Sequence, residues 1–426
     1  MKIYCSGIGG IGLSAYAALQ QAAGHTVAGS DRTDSPLLKD LATQGIAISL
    51  NQDSSALPTD TDLFVYSEAV PADAPERVRA QKLGIRSISY FQALGELSEP
   101  YQVIAVCGTH GKSTTTAMLA KALIEAGLDP SVVVGTLTPD LAGRNWRRGA
   151  SNFFLVEACE YRRSFHFLSP TIVVMTNVGG DHFDFFKTDA EYQNSYLEFL
   201  DRLPANGKVI THGKDPATRS LAEQSGREWI NADSEPLLPL KVPGVHMQQN
   251  AQLALATAVL LGADRAAAEQ SLRAFVGTWR RSELKGEYKG VPVIDDYAHH
   301  PDEIRATLLA FRQKYPTERL VCVFQPHTHD RTLKLYDQFV ESFADADVVI
   351  IPNVYDARHD IETNLVDVPK FVSDIATRSN VEAIDGHSLA DTESVLRTSM
   401  LREGDVLLCL GAGDITNLAT AIANLH

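Results

Sequence analysis

The 426-residue sequence has no C-x-x-C pair, and its five cysteines are an odd number. It therefore does not read as a disulfide framework. Cys5, Cys107, Cys159, Cys322 and Cys409 all fall in or just after apolar, strand-like stretches, where buried reduced thiols are expected. Long hydrophobic runs are missing too: charges or glycines interrupt each one before membrane-spanning length, so no membrane insertion is expected. The N-terminal "MKIYCSGIGG" enters a strand and a glycine loop at once and lacks signal-peptide architecture, which places the expected location in the cytoplasm. Positive charge is in deficit. With 38 Lys and Arg against 53 Asp and Glu, the net charge of −15 disfavours nonspecific nucleic-acid binding. An anionic small molecule remains compatible with it, because one local cluster of donors suffices. Low-complexity tracts and short-period repeats are also absent.

What the chain does have is alternation. It is too long for one ordinary core, and strand-like runs alternate with helical stretches nearly throughout, the pattern of βαβ units and parallel sheets. "MKIYCSG" leads to a helix expected from about Ser14, followed by "TVAGSD" and "LFVYSEAVP". A break near "LGELSEPYQ" precedes a second series with "VIAVCGTHGK", "FFLVEACE" and "TIVVMTNVGGDH". A third series opens after "TWRRSELKG" with "VPVIDDYAHHP", "LVCVFQPH", "DVVIIPNVYD" and "DVLLCLGAGD". The expected domains are 1–98, 99–282 and 283–426, each of α/β type.

Two glycine loops carry the chemistry. Gly7, Gly9 and Gly12 spell G-x-G-x-x-G between a strand and a helix, with Asp31 at the end of the next strand. This arrangement lets backbone and a helix N-terminus approach a diphosphate. A nicotinamide dinucleotide, another nucleotide such as a nucleotide sugar, and a tight turn with no ligand all fit it. The second loop, "GTHGKST", follows the strand Val103–Val106. Gly108, Thr109, His110 and Gly111 form a cradle of N–H groups, Lys112 reaches terminal phosphates, and the Ser113 hydroxyl, next to Thr114, suits Mg²⁺. Val106 occupies the position where a strict Walker motif has its first glycine, so the loop is a variant unlike ordinary motors and switches. Glu157 ends the strand "FFLVE" and His182 follows the strand "TIVVMTN". Ligands of open α/β sheets gather at the carboxyl ends of strands, so Glu157, His182 and the loop are expected on one edge. His182 reads either as a metal ligand or as a hydrogen-bonding group.

The ordered tracts "GIGGIGLS", "CGTHGKSTTT", "EACEYRRSF", "TNVGGDHFD", "GVHMQQN", "DDYAHHPDE", "FQPHTHDRT" and "LGAGDI" resemble the Mur ligases, and the resemblance runs through all three expected domains. It implies a Rossmann-like N-terminal domain, a central P-loop ATPase domain with a mostly parallel sheet, and a C-terminal Rossmann-like domain that closes over ATP. It also implies amide-bond formation in peptidoglycan synthesis from ATP, Mg²⁺ (one or two ions), UDP-N-acetylmuramic acid and L-alanine. In that chemistry the sugar's lactyl carboxylate is phosphorylated to an acyl phosphate, which the amine then attacks.

By the same resemblance, Lys112 contacts the β/γ-phosphates and Ser113, Glu157 and His182 hold metal. His246 and Asn250 lie near adenine, and Asp296 holds the ribose. Arg281, His299 and His300 lie by the nucleotide, and His327 and Arg331 by the acyl phosphate and incoming amino acid. Gly7, Gly9, Gly10, Ile11, Gly12, Asp31 and Ser67 take the UDP-sugar. Some positions depart from the family pattern. Met247 stands in place of an asparagine, Thr328 in place of an arginine, and Cys159 in place of a frequent aspartate, and "NVGGDH" lacks the acidic residue common just before its Asp-His pair.

Arg147–Arg148 and Arg162–Arg163 read as solvated charge or as anion contacts. "GAGD" at Gly411–Asp414 reads as a tight turn or a ligand approach, and "YDQFVESFADA" as a helix with a packed face. Three other functions fit part of the pattern: a recycling ligase that adds a preformed tripeptide to the same sugar, a nicotinamide oxidoreductase, and a nucleotide-binding regulator. Against the first, the stretch from "EYRRSF" to "LSP" has no room for the insert that the resemblance associates with such a ligase. The second leaves Glu157 and the second loop unexplained.

Overall fold

The computed structural model describes residues 1–179, 185–355 and 365–424. Three sheets follow one another along the chain. The first contains β1 (Lys2–Ser6), β2 (Thr26–Ser30), β3 (Ala47–Ser49), β4 (Leu63–Tyr66) and β5 (Arg86–Ser89), all parallel, in the order β3-β2-β1-β4-β5. Strand order reverses at β1/β4, which opens a crevice beyond the carboxyl ends of these two strands. The helix after β1 runs Ile11–Ala22 and starts three residues ahead of the expected Ser14, because the extended backbone of Gly10 is already its N-cap.

The second sheet contains β6 (Gln102–Cys107), β7 (Ser131–Thr138), β8 (Arg144–Arg147), β9 (Phe153–Glu157), β10 (Ile172–Met175), β11 (Lys208–Thr211) and β12 (Glu228–Asn231). Its order is β12-β11-β10-β6-β9-β7-β8, parallel except for β7/β8. β6 is buried from Val103 onward, as a central strand covered on both faces must be. The third sheet contains β13 (Glu283–Tyr288), β14 (Val291–Asp296), β15 (Arg319–Phe324), β16 (Val348–Ile351), β17 (Glu382–Asp385) and β18 (Asp405–Leu410). Its order is β13-β14-β18-β15-β16-β17, parallel except for β13/β14.

The chain forms two compact units, one of residues 1–238 with 249–274 and one of 239–248 with 275–426. Within the first unit, two sheets share a core. Ala15 and Leu19 of the first helix and Leu94 are buried with Val103, Phe154, Phe165 and Phe199. Gly95 permits this contact, since any Cβ there would collide with Phe167 O.

All five cysteines are free, four of them buried and Cys159 half-buried. Burial pushes the Cys159 thiol up to about 12. The stretch read as one helix, "YDQFVESFADA", is helical only over Tyr336–Val340. Beyond it the Phe343 N–H donates to Ser379 Oγ at 3.1 Å instead of continuing the ladder, and Phe339, Val340 and Phe343 remain buried.

Near the crevice of the first sheet, buried Glu76 accepts hydrogen bonds from Tyr4 Oη (2.8 Å), Ser6 Oγ (2.5 Å) and Ser30 Oγ (2.7 Å). Glu76→Ala would strand three buried hydroxyls and is expected to cost about 3 kcal/mol in urea unfolding. A loss well below about 1 kcal/mol would mean that the hydroxyls find other partners.

Candidate functional site

The first glycine loop folds around Asp31. Gly7 and Ile8 donate their N–H groups to Ser30 O (2.8 and 3.0 Å), and Gly9 donates to Asp31 Oδ2 at 2.8 Å. A Cβ on Gly9 would lie 2.8 Å from that same oxygen, and one on Gly7, which has φ +78°, would lie 2.9 Å from Ser67 Cβ. Gly12 leaves room for the Tyr90 ring, and Ile11 O accepts from Asn145 Nδ2 of the second sheet. Gly7, Gly9, Gly10, Ile11, Gly12, Asp31 and Ser67 therefore gather at the switch point. The Asp31 carboxylate braces the loop itself.

The second loop leaves β6 between β9 and β10. Val106 is in register with Glu157 on one side and Val174 on the other, so the loop, Glu157 and the tract after β10 meet at one sheet edge, as the sequence predicts. Gly108 and Gly111 have φ of +134° and +82°, in the left-handed region where a side chain is strained. Thr176 and Asn177 brace the loop from below. His110 N donates to Asn177 Oδ1 at 2.9 Å, and His110 O accepts from Thr176 Oγ1 at 2.6 Å and Asn177 Nδ2 at 3.0 Å. The helix Lys112–Glu125 starts at once, with Gly111 as a cap that offers no side chain. The opening N–H groups, those of Lys112, Ser113 and Thr114, have no acceptor within the helix and suit an anion. Asn250 sits against this loop, its Oδ1 2.6 Å from where a Gly111 Cβ would be.

Lys112 is folded back on the loop. Its Nζ donates to Gly108 O (2.5 Å) and Thr109 O (3.0 Å) and pairs with both oxygens of Glu160, at 3.0 and 3.2 Å. Burial works against the ammonium, but the neighbouring anions, Glu160 foremost, outweigh it and hold its pKa above the usual lysine value. Glu160 was not singled out from the sequence, although it stands three residues past Glu157 in the quoted "EACE". Glu157 accepts from Gly135 N at 2.7 Å. Its carboxylate and the Ser113 hydroxyl are hard oxygen donors of the kind Mg²⁺ takes alongside phosphate oxygens and water. His182 lies outside the described residues. Among the described residues no group of three or more His, Cys, Asp or Glu is arranged to hold a metal ion by itself.

The remaining candidates belong to the second unit. Asp296, at the end of β14, accepts from Ser282 N (2.6 Å), Ser282 Oγ (3.2 Å) and Ala298 N (2.9 Å). Burial pushes its carboxyl up, against the pull of Arg281 and these backbone donors. Burial also pushes the His246 imidazole below its ordinary 6.5, with Asp296 and Glu303 opposing. Met247 beside it is buried.

His300 is the N-cap of the helix Pro301–Lys314, and Glu303 completes the capping box by accepting from His299 N and His300 N. The His299 ring lies 6.1 Å from that of His327, which stacks on Tyr355 at 5.6 Å. Thr328 adopts φ +67° and caps the helix His329–Lys334 through Arg331 N. A threonine here thus performs a local task that an arginine would not.

Arg280 and Arg281 differ. Arg280 is buried, donates to Gly411 O at 2.5 Å and lies 3.5 Å from Asp295, whereas Arg281 lies over the Tyr297 ring and 3.9 Å from Glu303. In "GAGD", Gly411 lies against Gln325 O and Asp414 accepts from Gln325 Nε2 at 2.7 Å. Arg147 pairs with Asp129 and Arg163 with Glu198, so neither is simply solvated.

His246 makes an acid-side prediction. Its folded pKa lies below its unfolded one, so the unfolded chain binds more protons, and stability falls as pH drops through 6.5. His166, also held low by burial, adds the same sign. Between about pH 7.5 and about pH 5.5, His246→Gln should lose less stability than the wild type in urea titrations. Equal losses would refute a buried neutral imidazole.

Three Mur ligase family models match the chain. They are the "Mur ligase family, catalytic domain" over residues 2–102, the "Mur ligase middle domain" over 106–234, and the "Mur ligase, glutamate ligase domain" over 280–413. A UDP-N-acetylmuramate–L-alanine ligase of Clostridium novyi is 35% identical over 442 aligned residues, spanning 97% of this chain and 95% of the relative. The enzyme of that name from Lachnospira eligens is 36% identical over 449, spanning 97% and 96%. A solved UDP-N-acetylmuramate-alanine ligase from Thermotoga maritima has a TM-score of 0.82 at 28% identity, covering 99% of this chain and 98% of that one. A murein peptide ligase from Psychrobacter arcticus (TM-score 0.73, 23% identity, 100% and 99% covered) shares the fold. The three-domain α/β architecture with mostly parallel sheets is therefore that of these enzymes from end to end, and this chain belongs to the Mur ligase family.

Proposed function

We propose that the chain joins L-alanine to the lactyl carboxylate of UDP-N-acetylmuramic acid at the expense of ATP, in the peptidoglycan synthesis of the cytoplasm. The observation that carries this reading is the convergence of Lys112, Ser113 and Glu157 at the carboxyl edge of β6 and β9, in a chain at least 35% identical to ligases of that activity over nearly its whole length. No helix among the described residues is long and apolar enough to cross a membrane.

The chemical problem is that a carboxylate is a poor electrophile. Transfer of the γ-phosphoryl group makes it an acyl phosphate, the amine of alanine attacks the carbonyl carbon, and phosphate departs with the C–O electron pair. In this scheme the N–H groups of Lys112, Ser113 and Thr114 cradle the phosphates, those of Thr109 and His110 being given to Asn177, and Lys112 turns from its loop carbonyls to the β/γ-oxygens. Ser113 and Glu157, with His182, hold Mg²⁺, which when bound neutralises charge on the transferring phosphoryl group.

Asn250 and His246 flank the adenine, Asp296 takes the ribose, and Arg281, His299 and His300 line the nucleotide's path. His327 and Arg331 meet the acyl phosphate and the amino acid, Arg331 through a bidentate guanidinium. The loop from Gly7 to Gly12, with Asp31 and Ser67, receives the UDP diphosphate. This division of labour goes with domains at 1–98, 99–282 and 283–426.

The test is phosphate release from ATP and Mg²⁺ with UDP-N-acetylmuramic acid, across L-amino acids and the tripeptide, with product mass read in the same tubes. Release that requires both the sugar and alanine, with the mass of the amide, is the expected result. Turnover with the tripeptide alone would make this a recycling ligase, and no release from a folded, ATP-binding protein would make it a regulator. Lys112→Ala should lower turnover by about 100-fold or more.

A further inference from the structure

Among the described residues, Glu160 is a carboxylate at the phosphate loop to which none of the roles above gives a task. Its side chain is 0% exposed, against 14% for that of Lys112, and both its oxygens face the Lys112 Nζ. The three N–H bonds of that ammonium are thus divided among Gly108 O, Thr109 O and the Glu160 carboxylate. A polyphosphate can take hold of Lys112 only by displacing at least one of them. The carboxylate has a second partner ready: Tyr192 Oη lies 3.4 Å from Oε1. That hydroxyl also meets Thr109 Oγ1 at 2.9 Å and Tyr196 Oη at 3.1 Å, and Thr109 Oγ1 donates to Gly179 O at 2.8 Å. Tyr192 Oη thus stands between Glu160 and the loop, and its one proton goes either to the carboxylate or to Thr109 Oγ1.

We propose that Glu160 is a positioning residue that competes with the nucleotide polyphosphate for Lys112, holding the ammonium in the empty loop and setting how tightly the nucleotide binds. This inference rests on the reading of the second glycine loop as the nucleotide site. The electrostatic argument is direct. A fixed negative charge 3.0 Å behind the lysine discounts the lysine's attraction for an incoming anion, and in a buried place that discount is not screened by water. Tyr192 keeps Glu160 hydrogen-bonded as the ammonium turns away, which lowers the cost of the exchange. The pair thus lets the loop hold a lysine without trapping product.

The experiment is calorimetric titration of the full-length protein with Mg²⁺·ADP. Glu160→Gln keeps the shape and the hydrogen-bond acceptor for Tyr192 but removes the charge, and should bind Mg²⁺·ADP about tenfold more tightly. Glu160→Asp keeps the charge one methylene further from Nζ, should give a smaller gain, and serves if the glutamine variant fails to fold. In turnover, KM for ATP falls with the dissociation constant, whereas a merely structural Glu160 would lower Tm and raise KM. Lys112→Ala and the double variant with Glu160→Gln complete a cycle in which the gain disappears without Lys112. Unchanged or weaker ADP binding in both Glu160 variants, or a gain that persists without Lys112, overturns the inference. If Lys112→Ala alone binds ADP as the wild type does, the reading of the loop falls instead.

Discussion

β6 lies in the middle of a seven-stranded sheet, hydrogen-bonded to β9 and β10 and buried on both faces. A strand in that position has one exit, and the chain must leave it at the carboxyl edge among the ends of its parallel neighbours. Everything assigned to phosphate chemistry follows from this constraint. Glu157 stands opposite Val106 because β9 pairs with β6. Thr176 and Asn177 lie under the loop because β10 pairs on the other side. Had β6 been an edge strand, the same "GTHGKST" would have had one supporting neighbour at most.

The two glycine loops look alike in composition but are built for different tasks. In the first, Gly9 exists so that Asp31 can take its N–H, and the N–H groups of Gly7 and Ile8 go to Ser30 O. That loop is rigid by its own bonding. In the second, glycine answers backbone conformation, the left-handed φ of Gly108 and Gly111, while bracing comes from Thr176, Asn177 and Asn250. Lys112 is held there by bonds that can be exchanged. A loop that must admit a polyanion and release a shorter one needs that difference.

The departures from the family pattern have local physical reasons. Thr328 is an N-cap at positive φ, and its hydroxyl accepts the Arg331 N–H. Met247 is buried next to His246, where an asparagine would need two further hydrogen-bond partners. His300 is likewise a cap as well as a candidate near the nucleotide, and its partner Glu303 also approaches Arg281. The third sheet's site thus draws its positions from helix termini, as the second sheet's site does.

The sequence by itself determined the three α/β series, both glycine loops, and the placement of Glu157 on the edge of the phosphate loop. Each depends on residues close together in the chain: continuous apolar runs alternating with helical stretches, glycines at fixed offsets, and a strand that ends in a carboxylate. It also carried the helix start to within three residues, missing only that Gly10 serves as the cap. Tertiary structure decided what these residues touch. Glu160 meets Lys112 across 48 residues of chain, and Asn250 reaches the loop from a helix that no local pattern ties to it. "YDQFVESFADA" lost its helix after Val340 because a serine from elsewhere in the chain captured the Phe343 N–H. Backbone conformation is written in neighbours, whereas partnership between buried polar groups follows from strand order. The sequence does not state that order, and burying both faces of each sheet fixes it.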